Sequence, residues 1–365
     1  MLPLFTYNII GRLLFREGID MFQLTEDTKR KLYNICMVNK DLLLVDVMNH
    51  LHRFLWANQD LYVTIDDEIV STGHLYGMTR FVGMLKERFP DCSIVLCLDG
   101  YDSERREINP EYKANRDHTL NLYEQIDDLV EMCSLLDEVY SCYCKDCEAD
   151  DIINSISSIV YKLCKKAKVK KNIWILSNDK DMYQLVKDDT DNPIRIIRKF
   201  GTGAKWYDDA DIVDESKVRE TFNDVNPINL VKFRAITGDS SDNLKGYYRF
   251  RKKDASVIAE SYDYSLENHS LVLKEGIVPD IKVKKSIVKI MNEIDIFDKN
   301  YRIMKMKSVD FDLKEHDFSN KEDLYKALDK ISLYDLSYYR QRLMSGSGSK
   351  YRREIINYYT GDGKV

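Results

Sequence analysis

Apolar residues in this chain gather in short runs, and three of those runs lead to an acid. Leu42, Leu43, Leu44 and Val45 precede Asp46, and Ile94, Val95, Leu96, Cys97 and Leu98 precede Asp99. Ile173 to Ser177 precedes Asp179-Lys180-Asp181. A short continuous apolar run predicts a strand buried on both faces. From Leu42 onward such runs alternate with helical spacing, which predicts an α/β fold with a mainly parallel central sheet flanked by helices. Strands are expected near 42–46, 93–98, 137–142, 173–177 and 194–198. Leu122, Ile126, Leu129, Val130, Cys133 and Leu136 recur at helical intervals and read as core packing. After residue 205 the pattern turns helical, with helices at 227–237 and 252–262 and a loop at 238–246. The stretch 281–306 is mixed.

Two further acidic clusters, Glu148-Ala149-Asp150-Asp151 and Asp239-Ser240-Ser241-Asp242, bring the clustered carboxylates to nine. A carboxylate that ends a buried parallel strand points out of the sheet edge where ligands bind in such folds. Close carboxylates repel one another and need a counter-charge. Two hard divalent cations supply it, and oxygen-only ligands suit magnesium, with manganese as a substitute. Surface ion pairing is the plain alternative, and the position of the acids after buried runs argues against it.

The net charge of −6 runs against phosphate binding, but nine of the negative charges sit in these clusters, so the remainder is net positive. Basic residues concentrate at Lys162 to Lys171, Arg195 to Lys205 and Arg249 to Lys253, and a local basic surface matters more to a polyanion than the total. No run of eighteen apolar residues predicts a membrane span. The eight cysteines lack paired zinc-ligand spacing, so reduced thiols of a cytoplasmic protein are expected.

Residues 1–39 form an N-terminal extension. Ile9, Ile10, Leu13 and Leu14 share a helical face beside Arg12 and Arg16, as a helix packed on the body or a targeting helix. Pro3 and the lack of an early basic region disfavour a secretory signal. The α/β core is expected at 40–205, a helical subdomain at 206–312, and a C-terminal extension at 313–365 with a flexible Ser/Gly linker at 345–349. Between Asp99 and the next helix, Tyr101 to Arg116 is polar, basic and aromatic with a break at Pro110. Lys113 and Arg116, spaced i, i+3, would share one helix face.

Five ordered stretches resemble the 5′-nuclease superfamily, and most closely the bacteriophage 5′-exonuclease/flap endonucleases; the 5′-nuclease domain of bacterial DNA polymerase I is a near relative. They are Leu42-Leu-Leu-Val-Asp46; Leu98-Asp99 with Arg105 and Pro110-Glu-Tyr-Lys-Ala-Asn-Arg116; Glu148-Ala-Asp-Asp151; Ser177-Asn-Asp-Lys-Asp181; and Gly238-Asp-Ser-Ser-Asp-Asn243. The resemblance spans roughly 40–310. It implies a helical arch at about 100–118 and a helix–hairpin–helix-type DNA-binding motif at 238–255. It makes Asp46, Asp99, Glu148 and Asp150 ligands of a first metal, with Asp151 holding its waters. Asp179, Asp181, Asp239 and Asp242 become the second metal group. Lys113 and Arg116 correspond to basic residues that act on the scissile phosphate, and Arg105 to one at the base of the arch. Tyr112 either stacks on a displaced base or packs.

The chain departs from the family at Gly246-Tyr-Tyr-Arg-Phe-Arg-Lys-Lys-Asp-Ala255, where Arg249 and Arg251 replace hairpin glycines and Lys253 falls on the family lysine. Glycine permits positive φ and close amide approach to phosphate. Arginine is expected to offer neither, and with Lys252 and Lys253 to hold duplex phosphates through side chains. A glycine-built monovalent-cation site is therefore in doubt. The implied activity is a magnesium-dependent 5′-to-3′ exonuclease and flap endonuclease. Its substrates would be DNA with a free 5′ end, as flaps, nicked or gapped duplex, and RNA primers on DNA, in the context of replication proteins. A PIN-type ribonuclease would lack Gly238 to Asn243, and a non-catalytic nucleic-acid clamp would have lost ligand residues.

Overall fold

The structure, a computed structural model, describes residues 24–100, 103–114, 125–200, 209–278, 283–345 and 349–360. Strand β1 (Asp41–Asp46) shows why the sheet needs helices on both faces. Leu42 and Leu44 enter one apolar core, while Leu43 and Val45 enter the other. Strand β4 (Cys92–Leu98) alternates in the same way, with Val95 and Cys97 on the first side and Ile94 and Leu96 on the second.

Ahead of β1 lies α1 (Glu26–Met37). Between β1 and β4 come α2 (Val47–Ala57), the antiparallel pair β2 (Tyr62–Ile65) and β3 (Glu68–Ser71), and α3 (Gly73–Arg88). Helices α4 (Ser103–Ile108) and α5 (Ile126–Cys133) precede β5 (Val139–Tyr143). Helix α6 (Ala149–Ala167) leads to β6 (Ile173–Leu176), and a 3-10 turn at Lys180–Leu185 leads to β7 (Ile194–Lys199) and β8 (Asp211–Val213). The helical part contains α7 (Glu215–Thr221), α8 (Leu230–Thr237), the short pair β9 (Gly238–Asp239) and β10 (Leu244–Lys245), and α9 (Lys252–Ser261). It continues with β11 (Tyr262–Ser265), β12 (Ser270–Leu273), α10 (Lys284–Asn292) and α11 (Ile294–Met304). The chain then returns to the sheet as β13 (Asp312–Lys314) and ends in α12 (Lys321–Leu333), α13 (Ser337–Ser345) and α14 (Arg352–Thr360).

The sheet order is β13-β5-β4-β1-β6-β7-β8. Five central strands pair in parallel, and the two edge strands are antiparallel. The mainly parallel sheet flanked by helices is therefore as expected. Parallel register carries several strands to one edge together. Asp46 pairs with Cys97, just ahead of Asp99, and Val45 pairs with Leu176, just ahead of Asp179.

Some local expectations need correction. Residues 238–246 are not only loop, because β9 and β10 pair across a turn. Lys113 is not on a helix; it sits in a turn with φ +55°. Its intended helical partner Arg116 lies outside the described residues, as do Leu122, Lys205, the apolar stripe from Ile9 to Leu14, and Gly346 to Gly348 of the linker. Helix α1 was not foreseen. Leu32, Ile35 and Cys36 bury it in the first core, and Leu313 donates its amide to Thr28 Oγ1 at 3.2 Å. The C-terminal helices also dock, placing Leu324, Leu328, Tyr339, Leu343 and Ile355 in the second core. Cys144 and Cys147 form a disulfide, while the other six cysteines are free and buried.

Candidate metal centre

The first group of acids forms where strand ends meet the start of α6. Asp46 ends β1 and caps α2, accepting from the Asn49 amide at 3.2 Å and from Ser177 Oγ at 2.8 Å. Burial pushes its carboxyl up to about 7, aided by the nearby charges of Asp99 and Asp179. Asp99 accepts the Ala149 amide at 2.6 Å, at the positive end of α6. Asp150 lies in the first turn of α6, and burial with the charges of Asp179 and Asp46 pushes it well above the usual carboxylate range.

Neighbouring acids on the same turn behave differently. Burial would raise Glu148, but the ammonium of Lys113 and the guanidinium of Arg105 outweigh it and hold the carboxyl below its ordinary value. Lys113 Nζ lies 2.7 Å from Glu148 Oε1. Asp151 is wholly buried, and both its oxygens accept from Arg105, at 2.7 and 2.8 Å. The Lys307 amide adds a third bond at 2.7 Å.

The second group is built by the turn after β6 and by the α8–β9 junction. Asp179 caps the 3-10 turn, accepting the Asp181 amide at 2.8 Å. One oxygen from each of Asp181, Asp239 and Asp242 lies within 4.8 Å of the others. Asp179 is outside that triad, and its charge acts on Asp46 and Asp150. Asp239 Oδ1 accepts from the Ser241 amide at 2.9 Å and from its hydroxyl at 2.6 Å. Two glycines let this junction close. Gly238 has φ +76°, and a Cβ on Gly246 would lie 2.2 Å from the Thr237 carbonyl oxygen.

One pocket joins the two groups: Glu148, Asp150, Asp181 and Asp242 line it together with Arg105 and Tyr112. The turn carrying Lys113 is tied to the second group, because the Lys113 amide donates to the Asp242 carbonyl at 3.3 Å and Asn243 Nδ2 to the Glu111 carbonyl at 3.1 Å. The donor set fits hard divalent cations. It is oxygen-only, three oxygens converge, and burial with neighbouring acids disfavours the charged forms of Asp46 and Asp150, a penalty that an added cation would offset.

Two DNA-contact expectations are corrected. Arg105 is 2% exposed and its guanidinium is committed to Asp151 and Glu148, with Nε on the Ile303 carbonyl at 2.9 Å, so it cannot meet a phosphate outside. Tyr112 is 5% exposed and donates its hydroxyl to Glu148 at 3.1 Å, so packing, not base stacking, describes it. Arg249, Arg251, Lys252 and Lys253 are all exposed. Arg249 nonetheless adopts φ +50°, against the expectation that loss of glycine would exclude it, and its guanidinium lies over the Tyr248 ring. Arg251 is paired with Asp254 at 2.9 Å.

Sequence reasoning missed Arg234. This buried residue of α8 places its guanidinium on Asp181 and Asp239. Its place one helical turn before the Gly238-Asp239 break was the available signal.

A family model described as 5′-3′ exonuclease, N-terminal resolvase-like domain, matches residues 41–223. A 5′-3′ exonuclease of Buchnera aphidicola subsp. Schizaphis graminum is 26% identical over 298 residues, covering 80% of this chain and 95% of that protein. A Bacillus subtilis 5′-3′ exonuclease is 28% identical over 65% of this chain and 77% of its own length. A DNA polymerase I of Lactococcus lactis is 27% identical over 64% of this chain and 25% of its own length. Among solved structures, the T5 D15 protein co-crystallized with metal ions is similar in fold, with a TM-score of 0.50, 16% identity and coverage of 87% of this chain and 99% of that one.

Proposed function

The chain belongs to the 5′-3′ exonuclease family, and from that membership and the joined carboxylate groups we propose that it cleaves phosphodiester bonds near free 5′ ends of DNA by two-metal hydrolysis. The observation that carries this reading is the single pocket lined by acids of both groups. Asp46, Asp99, Glu148 and Asp150 would hold one Mg2+, and Asp179, Asp181, Asp239 and Asp242 a second; Mn2+ would substitute. Bound there, such ions supply a water of lowered pKa and a charge clamp on the leaving oxygen.

The chain's own residues prepare the site. Asp151 and Arg105 form a buried pair that fixes the first turn of α6. Lys113, held through its amide by Asp242, keeps its ammonium on Glu148 at the pocket, where it can share its charge with a phosphoryl oxygen in the transition state. Arg116 would assist it from the arch. Residues 206–312 would hold the duplex, with Arg249, Arg251, Lys252 and Lys253 on its phosphates. Flaps, nicked or gapped duplex and RNA primers on DNA are the proposed substrates, in a replication or repair setting.

The test is cleavage of a 5′-labelled flap, nicked duplex, single strand and RNA–DNA hybrid, each with Mg2+ and with EDTA. Release of short 5′ products only with Mg2+ is expected. Cleavage in EDTA, or attack confined to 3′ ends, would overturn the reading.

A further inference from the structure

Two of the eight cysteines are joined, Cys144 with Cys147, and the other six are free and buried. The joined pair closes the short segment Cys144-Lys145-Asp146-Cys147, which connects β5 to Glu148 and the start of α6. A cross-link over so short a loop removes less freedom from the unfolded chain than a long-range one does. Stability of the whole fold is therefore a weak reason for it.

Its position supplies a stronger one. Gly100, next to Asp99, donates its amide to the Cys147 carbonyl at 2.8 Å. The segment lies directly on Gly100: a Cβ there would stand 2.0 Å from the Cys144 carbonyl oxygen and 2.5 Å from that of Lys145. Two residues past Cys147, the Ala149 amide donates to Asp99 Oδ1 at 2.6 Å. The closed turn is thus fastened to the end of β4 on one side and runs into the first turn of α6 on the other. Asp99, Glu148 and Asp150 take their backbone positions from the residues that flank it. The two cysteines also differ in access. Cys147 is 1% exposed, whereas Cys144 is partly exposed between the exposed Tyr143 and Lys145. Cys144 is the side on which a thiol from solution can approach.

We propose that Cys144 and Cys147 are a redox-active pair that couples the thiol state of the surroundings to the metal centre. The disulfide holds the turn that sets Asp99, Glu148 and Asp150, and reduction releases the turn and lowers the affinity of these acids for a divalent ion. This rests on the metal-centre reading above. The co-reactant is a dithiol. One of its thiolates attacks Cys144 Sγ; a mixed disulfide forms as the Cys144–Cys147 bond breaks, and Cys147 takes the electron pair and then a proton. The second thiol, losing its proton, attacks the dithiol's own sulfur in the mixed disulfide and expels Cys144 as a thiolate, which is then protonated. Two electrons pass to the protein, and the dithiol leaves as a cyclic disulfide.

The experiment equilibrates the full chain in buffers of graded reduced-to-oxidised dithiothreitol ratio, then removes the buffer without air. Alkylation with mass mapping gives the reduced fraction of Cys144 and Cys147. Hydrogen exchange is read at the Gly100 and Ala149 amides. Cleavage of a 5′-labelled flap is read over a Mg2+ series. On reduction both amides should exchange faster. The Mg2+ needed for half-maximal cleavage should rise by about tenfold, on the scale of losing a group that orients a metal ligand. Both changes should share the midpoint of the alkylation curve. The Cys144→Ser, Cys147→Ser double variant should match the reduced protein in every buffer; should it not fold, the wild-type series decides alone. A pair that stays reduced in the most oxidising buffer, or oxidised in the most reducing one, overturns the inference. So does a pair that converts while exchange and Mg2+ dependence stay fixed, or while cleavage needs less Mg2+. These outcomes leave the metal centre standing. No Mg2+-dependent cleavage in either state would instead overturn the metal-centre reading, and this inference with it.

Discussion

Asp150 and Asp151 are adjacent on the first turn of α6, yet they belong to different kinds of site. Asp150 lines the pocket and is pushed above the usual carboxylate range by burial and by Asp179 and Asp46. Asp151 is fully buried and spends both oxygens on Arg105. One carboxylate is left with charge to offer a ligand, and its neighbour has already been matched by the protein. Cations also reach other acids of the two groups, Lys113 on Glu148 and Arg234 on Asp181 and Asp239. Carboxylate clusters are therefore not interchangeable with ligand sets. What each acid can do depends on which cation reaches it through the fold.

The sharpest way to break the contrast is to remove charge without changing shape. Asp150→Asn and Asp181→Asn should each lower cleavage by about two orders of magnitude or more, on the scale of losing a preorganised charged group. DNA binding in Ca2+ should persist. Near-normal turnover in either variant would separate that acid from the centre. Lys113→Ala should lower kcat by about tenfold to a hundredfold with a smaller change in KM, as for a contact made in the transition state. A change confined to KM would make Lys113 a binding contact only.

Asp151→Asn should damage stability instead. It removes the carboxylate charge that faces both terminal nitrogens of the buried Arg105, leaving its contact to Glu148, a loss of about 3–5 kcal/mol. Asp150→Asn relieves repulsion and should hold or raise the Tm of the metal-free protein. Equal Tm values for the two variants in EDTA would erase the distinction drawn between these neighbours.

A pH series extends the comparison. Asp46 is pushed up to about 7, whereas an unfolded aspartate titrates near 4. The folded state thus binds a proton that the unfolded chain has lost, and the stability this group contributes is full below about 4 and disappears as pH rises through about 7. Asp150 acts in the same direction. In EDTA the Tm should fall across that window. Mg2+ should remove the fall, because the ion replaces the proton as counter-charge. A metal-free Tm that rises across the window would contradict the electrostatics described here.

The smallest effect concerns the exposed hairpin. Changing Arg249 and Arg251 to Ala should reduce the salt slope of nicked-duplex binding by about 0.9 per lost phosphate contact. Measured in Ca2+, an unchanged slope would remove both residues from the DNA interface. Arg251 should contribute less than Arg249, since Asp254 already holds its guanidinium.

Much of the frame was legible in the sequence because its signals are local. The Leu42–Val45 run read as a strand and is one, since continuous apolar character reports burial on both faces. The acids after Val45, Leu98 and Ser177 could be placed on one edge because parallel strands end on the same side. The helices at 227–237 and 252–262 were visible in their spacing and recur as α8 with its preceding 3-10 turn, and as α9. Other features had no local signal. Tyr112 and Arg105 looked like surface residues in a polar segment, and only packing against Glu148, Asp151 and Ile303 put them inside. Lys113 looked helical by its i, i+3 partner, but contacts from Asp242 and Asn243 hold its turn in another shape.

The sequence by itself determined the five parallel strands, the sheet edge that carries the acids, and the family, because these depend on residue type and short-range order. The tertiary structure alone decided which acids have counter-charges. Arg105 meets Asp151, Lys113 meets Glu148, and Arg234 meets Asp181 across long stretches of chain. A charge acts through distance and dielectric. Both are properties of the packed molecule, so the division between balanced and unbalanced carboxylates appears only when the chain has folded.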